Sequence, residues 1–399
     1  MIDRLPKPYY RDSGCTIYHA DCREVLPALT PQPKFHAVLC DPPYALGLMG
    51  KAWDRFENKP RTVRGTGGTD APFACHARPL NAGINRTYQA WTRQWASALI
   101  PLLYPGALVF CFGGTRTWHR LASGFEDAGF QMWDTFMWLH GQGFPKAQKI
   151  HLHKFHAYRT CALKPAWEPI LCFKAPAQGK TYTQLARYYG TGCLNVDSVR
   201  IEGPMDGVWG TSNETCAPTF NASPGQHGFR SKPHTAGRYP ANLLLDDEAA
   251  GMLDEQAGQT SITGRRSQRS RNAVVKATNW FVRNHRSREY PDESGGPSRF
   301  FYVAKASRRE RAAASNNHPT IKPIALCKWL ATLLLPPECV KQRRLLVPFS
   351  GSGSEIIGAM QARWDEIVGI EMDEGYCKIA QSRIRSWRSA HKAGKRPQL

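Results

Sequence analysis

Asp41, Tyr44, Gly351, Gly353 and Glu371 are the residues whose types and spacing could do chemistry. The stretch FHAVLCDPPYALG, from Phe35 to Gly47, runs apolar and then stops on an acid, two prolines and a tyrosine. Proline fixes its own φ, supplies no backbone donor and pushes the residue before it away from helix. Asp41-Pro42-Pro43-Tyr44 therefore reads as a rigid, extended exit from a buried strand. It holds one carboxylate and one aromatic ring at the strand's carboxyl end. The same residue types also make ordinary turns, so this stretch alone names no reaction. A second stretch, LLVPFSGSGSEIIGAM from Leu345 to Met360, reads as a strand, a glycine turn and a helix. Gly351 and Gly353 let the backbone approach a ligand closely. A dinucleotide pattern G-x-G-x-x-G would need a third glycine where Ile356 stands, which weakens a nicotinamide or flavin reading. Glu371 closes the next strand about twenty residues on, where an acid can hold ribose hydroxyls. Two glycines with such an acid suit a ligand that has a ribose but no pyrophosphate, and S-adenosylmethionine is the leading candidate.

Seven short apolar runs are available to position these residues: CTIYH, FHAVLC, GALVFCF, FMWLH, EPILCFK, RRLLVPF and EIVGIE. Segments of helical spacing lie between many of them, over Ala90–Leu103, Thr117–Phe130, Lys322–Leu335 and Glu355–Trp364. Strands alternating with helices predict an α/β fold with a doubly wound, mostly parallel sheet. Trp91, Trp95 and Trp118 fall on apolar helix faces and read as core residues rather than cofactor contacts.

The chain has 399 residues, long enough for more than one domain. Its 53 Lys and Arg against 32 Asp and Glu give a formal charge of +21, which suits a polyanionic partner. The 12 cysteines are scattered, with no C-x-x-C pair and no zinc pattern, and read as core residues or free thiols of a reduced compartment. No metal is expected. No run approaches the ~18 apolar residues of a membrane span. From about Lys180 to Arg299 the sequence is rich in Gly, Ser, Thr, Asn and Pro. Within it, Arg265, Arg266, Arg269, Arg271, Lys276 and Arg283 lie in a segment without acids, with Trp280 and Phe281 interleaved. That is a solvated loop or a surface that tracks phosphates. Leu46–Arg86, also rich in Gly and Arg, reads as a long mobile loop.

The combination DPPY, HPTIKP (His318–Pro323) and FSGSGS (Phe349–Ser354), in that order, resembles the amino-methyltransferases of DNA, specifically the circularly permuted β group. IYHADCREVLPAL, LMGKAWD, FGGTRTWHRLASGFEDAGF, GQGFPKAQKI, LKPAWEPIL and RFFYVAKAS resemble phage-associated DNA modification methylases, so the likeness spans most of the chain. It implies a Rossmann-like methyltransferase fold with a seven-stranded, mostly parallel, circularly permuted sheet. Residues 1–179 would be the catalytic part, 180–298 a target-recognition and DNA-binding insert, and 299–399 the cofactor-binding part.

In that resemblance Asp41 and the Pro42 carbonyl accept hydrogen bonds from the target amino group, Pro43 stiffens their aim, and Tyr44 stacks on the extruded base. Phe349, Ser350, Gly351 and Gly353 cradle the methionine part of S-adenosylmethionine. Glu371 holds its ribose, Asp21 sits near its adenine, and Thr320 and Lys322 lie near its carboxylate. One departure stands out: the family usually has Asp-Pro-Phe before the glycine turn, and here Val347 replaces the acid. The activity implied is methylation of adenine N6 in double-stranded DNA by base flipping and direct displacement, because the resemblance associates Asp at position 41 with adenine. Cytosine N4, a DNA-binding protein without activity, and methylation of RNA or of a protein amide are the alternatives. The setting implied is the cytoplasm of a bacterium or a phage-infected cell, within restriction–modification, as a monomer or homodimer.

Replacing Arg269 and Arg271 by alanine is expected to lower duplex affinity. It should also shallow the plot of log affinity against log salt by roughly 0.9 for each phosphate no longer neutralised. Fluorescence anisotropy over a salt series measures this, and an unchanged slope removes the segment from the DNA surface.

Overall fold

The computed structural model describes residues 5–30, 33–46, 54, 56, 82–141, 143, 149–152, 155–158, 163–203, 237–262, 293–304 and 321–392. Thr320, Arg265, Arg266, Arg269, Arg271, Lys276, Arg283 and most of the expected Leu46–Arg86 loop lie outside the described residues. The strands in chain order are β1 (Tyr10–Asp12), β2 (Cys15–His19), β3 (Phe35–Cys40), β4 (Leu103–Phe112), β5 (Gln131–Leu139), β6 (Lys149–Leu152), β7 (Phe155–Tyr158), β8 (Trp167–Lys174), β9 (Leu243–Asp246), β10 (Thr260–Ile262), β11 (Glu293–Gly295), β12 (Tyr302–Ala304), β13 (Arg344–Pro348) and β14 (Glu366–Glu371). Strands β6 with β7 and β10 with β11 form two separate antiparallel pairs.

The other ten form one sheet in the order β1-β2-β14-β13-β3-β4-β8-β5-β9-β12. Only β1 and β8 run against the rest. The seven strands expected from the sequence are the unbroken run from β2 to β5, so the Rossmann-like sheet is present in permuted chain order. The structure adds β1 at one edge and β9 and β12 at the other. β9 lies inside the segment 180–298 that reads as an insert, and it pairs in parallel with β5 through Met137–Leu243 to Leu139–Leu245. The sheet thus continues into that segment. A four-residue strand is too short to leave a periodic signal.

Side chains alternate across a strand, and here both faces are covered. Ala37, Leu39, Phe110, Phe112, Leu345 and Val347 point to one layer, which holds helices Ile324–Leu333, Ser354–Gln361 and Glu374–Lys392. Val38, Cys40, Val109, Cys111, Leu346 and Val368 point to the other, with helices Cys22–Ala28, Ala82–Leu99 and Trp118–Asp127. A parallel sheet buried on both faces explains why its strands read as continuous apolar runs. Seven of the nine described cysteines are buried and all nine are free, as expected for core thiols. No helix among the described residues is long and apolar enough to cross a membrane.

Helices Ile324–Leu333 and Ser354–Gln361 approach closely at Gly358. A Cβ there would lie 2.7 Å from the Cys327 carbonyl carbon and 2.7 Å from the Lys328 nitrogen, both backbone atoms that cannot rotate away. Gly358→Ala sets a helix-propensity gain of up to about 1 kcal/mol against overpacking of about 1–3 kcal/mol. A net loss of stability in urea unfolding is expected, and a stabilised variant would show that the helices part freely.

Candidate active site

Strands β2, β14, β13, β3 and β4 all end at the same edge of the sheet, and the loops leaving them build the site. β3 and β13 pair in parallel at Ala37–Leu345 and Val38–Leu346. Asp41-Pro42-Pro43-Tyr44 therefore leaves the sheet beside the turn Phe349–Gly353. The two prolines are reinforced from outside: Tyr88 donates its hydroxyl to the Pro43 carbonyl at 2.8 Å, and Thr117 Oγ1 donates to the Tyr44 carbonyl at 2.7 Å. Between them these loops enclose a cavity of about 500 Å³, whose lining includes Asp21, Asp41, Pro42, Pro43, Tyr44, Glu168, Lys322, Phe349, Ser350, Gly351, Glu355 and Glu371.

On the β13 side the turn is held in an uncommon backbone. Phe349 has φ +62°, Gly351 +49° and Gly353 +85°. A non-glycine residue in that region is costly and persists where packing over-determines it. The Phe349 ring is fixed by Trp91 and Trp95, with centroids 5.5 and 5.1 Å away. Ser350 N–H donates to the Ile370 carbonyl at 2.9 Å, tying the turn to β14. Glu371, 8 % exposed, accepts from Gly351 N–H at 2.7 Å and from Asp373 N–H at 2.9 Å. Burial raises its pKa, and those backbone donors oppose the rise. Each of its oxygens keeps a further lone pair for a ligand hydroxyl.

Asp21 caps helix Cys22–Ala28 by accepting from Arg23 N–H at 2.8 Å. Burial would raise its pKa, but the Arg23 hydrogen bonds and charge outweigh that and lower it. A carboxylate with free lone pairs, beside a backbone turn without bulk at Gly351, fits a ligand carrying a ribose and a polar tail.

On the β3 side lies a cluster of charges around one ammonium. Lys322, 3 % exposed, sits 2.8 Å from Asp41 Oδ2, 3.2 Å from Glu168 Oε2 and 3.1 Å from the Tyr44 hydroxyl. The Tyr44 hydroxyl donates to Asp41 Oδ1 at 2.7 Å and lies 3.2 Å from Glu168 Oε2. Burial would lower the Lys322 pKa, but the Asp41 and Glu168 carboxylates outweigh it and hold it above the usual lysine value. Removing one partner of a buried pair typically costs about 3–5 kcal/mol, because the other charge is left uncompensated. Burial, then the Asp41 and Glu168 charges, push the Tyr44 hydroxyl up. Glu355, 4 % exposed, stands at the start of helix Ser354–Gln361 and lines the same cavity. Burial, with the Asp41 charge, pushes its carboxyl up to about 7.

The expected residues Asp21, Asp41, Pro42, Pro43, Tyr44, Lys322, Phe349, Ser350, Gly351 and Glu371 line one cavity. Gly353 supports it from behind, since a Cβ there would lie 3.1 Å from Ala380 Cβ. Lys322 bonds the Asp41 carboxylate within this cavity, because a buried ammonium pairs with the carboxylates within its reach. One placement differs from the expectation that the Trp residues are core alone. Trp91 lines the cavity, while Trp95 is fully buried as a core residue. Val347 is fully buried within the helix layer and does not line the cavity. Sequence reasoning missed Glu168, Glu355 and Arg383. The Arg383 guanidinium holds the turn from below, donating to the Ser352 carbonyl at 2.6 Å. The WEPIL and GSGSE stretches contained two of these acids, but neither has a spacing that announces a site.

The sequence profile described as DNA methylase, of N6 and N4 type, matches residues 35–382. The Type II methyltransferase M.HindIII of Haemophilus influenzae is 26 % identical over 247 residues, covering 56 % of this chain and 78 % of that protein. The chain is also similar to two solved structures. One is the PvuII DNA methyltransferase (cytosine-N4-specific), with 14 % identity, coverage of 94 % and 88 %, and TM-score 0.48. The other is TTHA0409 of Thermus thermophilus complexed with S-adenosyl-L-methionine, with 14 % identity, coverage of 93 % and 93 %, and TM-score 0.38.

The raised Glu355 pKa has a consequence for stability. The folded protein keeps this proton up to about pH 7, whereas the unfolded chain loses it near ~4.3. Stability from this group is full below the unfolded value and is lost as pH rises to the folded one. Glu355→Gln abolishes the loss. The variant is expected to match wild type at about pH 3 and to exceed it by on the order of 3 kcal/mol at about pH 8. Urea unfolding at the two pH values measures it, and an equal difference at both would show that Glu355 does not titrate there.

Proposed function

The chain belongs to the DNA methylase family, and from that premise we propose that it methylates adenine N6 at a specific site in double-stranded DNA. The methyl donor is S-adenosylmethionine, which when bound supplies an electrophilic methyl on a sulfonium. The reading is carried by the rigid Asp41-Pro42-Pro43-Tyr44 exit standing beside the glycine turn. The Pro43 and Tyr44 carbonyls are both engaged by hydroxyls. The Pro42 carbonyl between the acid and these two has no donor among the described residues.

An exocyclic amine on a base ring is a poor nucleophile, because its lone pair is delocalised into the ring. Asp41 and the Pro42 carbonyl would each accept one of its hydrogens. Two fixed acceptors localise the lone pair on nitrogen and stabilise the positive charge that develops there, without reorganising during the reaction. Holding the amine in line with the methyl is the other main contribution. No cysteine nucleophile is called for, which agrees with buried Cys40 and Cys111 at the strand ends. The target base must leave the duplex stack to reach Asp41, and the Tyr44 ring offers it a surface. Glu371 and Asp21 would hold the nucleoside part of the cofactor. Phe349, Ser350, Gly351 and Gly353 would hold its methionine part, with Thr320 near its carboxylate.

DNA is the macromolecular partner of the family. Arg265, Arg266, Arg269, Arg271, Lys276 and Arg283 are proposed to track its phosphates, within a target-recognition segment spanning 180–298. The acid at position 41 supports adenine as the base. A role in restriction–modification in a bacterial or phage-infected cell follows from the same reading.

Incubating the protein with a plasmid and labelled cofactor, then sequencing the DNA for modified bases, tests activity, base and site together. Modified cytosine in place of adenine would overturn the base assignment. Asp41→Ala is expected to lower methyl transfer by about 10²–10³-fold or more while leaving cofactor affinity nearly unchanged. Calorimetric titration of the cofactor separates the two effects, and equal loss of both counts against Asp41 as the amine acceptor.

A further inference from the structure

We propose that Glu168 is a positioning residue that sets the charge of the amine-accepting site, by sharing the Lys322 ammonium that would otherwise neutralise Asp41. The inference rests on Asp41 being the amine acceptor. The Lys322 ammonium has three N–H donors, and three oxygens surround it: Asp41 Oδ2 at 2.8 Å, the Tyr44 hydroxyl at 3.1 Å and Glu168 Oε2 at 3.2 Å. Lysine and Asp41 alone sum to zero charge. A neutral pair gives little stabilisation to a nitrogen that becomes positive as the methyl arrives. The second carboxylate restores one net negative charge at hydrogen-bond distance from the same ammonium, in a site where water screens poorly.

Topology explains why an acid from this part of the chain is available. β8 is the strand that runs against its neighbours β4 and β5. Its beginning, rather than its end, reaches the edge where β3 and β13 stop. Glu168, the second residue of β8, thereby enters the cavity. Tyr44 belongs to the same device, since its hydroxyl lies between Asp41 and Glu168. Among the described residues, Glu355, Asp54 and His140 are further titratable groups lining this cavity, and the Arg383 charge acts on Glu355.

The test uses the full chain, a duplex substrate and single-turnover methyl transfer. Glu168→Gln is expected to slow transfer at least about tenfold, with cofactor affinity within about twofold, and Glu168→Asp to recover part of the rate. In the double variant Glu168→Gln with Lys322→Met, Asp41 regains its full charge, so the double variant is expected to transfer faster than Glu168→Gln alone. A merely structural role makes the double variant equal or slower, and that result overturns the proposal. Should Glu168→Gln fail to fold, Lys322→Met carries the test. Two acids left without a counter-ion share a proton, so the acid limb of its rate profile is expected to move up by about a unit or more. An unmoved limb overturns the proposal as well. An inactive wild type, or a fully active Asp41→Ala, would instead bring down the reading of Asp41. Active wild type, inactive Asp41→Ala and unimpaired Glu168→Gln would bring down this inference alone.

Discussion

The parallel pairing of β3 with β13 is the constraint on which the site depends. It joins the beginning and the end of the chain at Ala37–Leu345 and Val38–Leu346. Because the two strands are parallel, their exit loops emerge at one edge, and the acid of one stands beside the glycine turn of the other. A one-residue slip would send Leu345 and Val347 to the opposite face and expel both core layers from register. The apolar alternation on two buried faces therefore protects the site geometry.

Within that frame, charge is arranged by scarcity of water. The β13 side uses backbone donors: Glu371 is held by the Gly351 and Asp373 N–H groups, with no cation bonded to it among the described residues. The β3 side uses a cation: Lys322 is buried among Asp41, Glu168 and Tyr44. A buried ammonium is tolerated only when its partners are well placed, so the cluster also locks the Asp41 carboxylate in position. The two halves suit different tasks. A carboxylate held by neutral donors can still bind hydroxyls, and one shared with a cation has its geometry set before any amine arrives.

Much of this was legible in the sequence. All seven expected strands form, because a sheet covered on both faces writes long apolar runs. The helices at Ala82–Leu99, Trp118–Asp127, Ile324–Leu333 and Ser354–Gln361 fall where their spacing places them, although the first begins earlier than its Trp pattern suggests. Strands β1, β9 and β12, which extend the sheet at its two ends, were not legible, since three or four residues carry no period. Glu168 and Glu355 were hidden for a different reason. Each is a single acid whose meaning depends on what lies across the cavity, and neither β8's direction nor the depth of the glycine turn is written locally.

By itself, the sequence determined the local chemistry: a stiff acid-bearing exit, a glycine turn, an acid closing the following strand, and the family to which these belong. Those properties depend on residues close together in the chain, such as Pro42 and Pro43 restraining Asp41. Only the tertiary structure decided which charges meet. Lys322 lies on Asp41, 281 residues away along the chain, and Glu168 joins them because an antiparallel strand delivers its first residues to the same edge. Electrostatic partners are chosen by distance through space and by loss of solvent, and neither quantity exists until the sheet has closed the gap between remote segments.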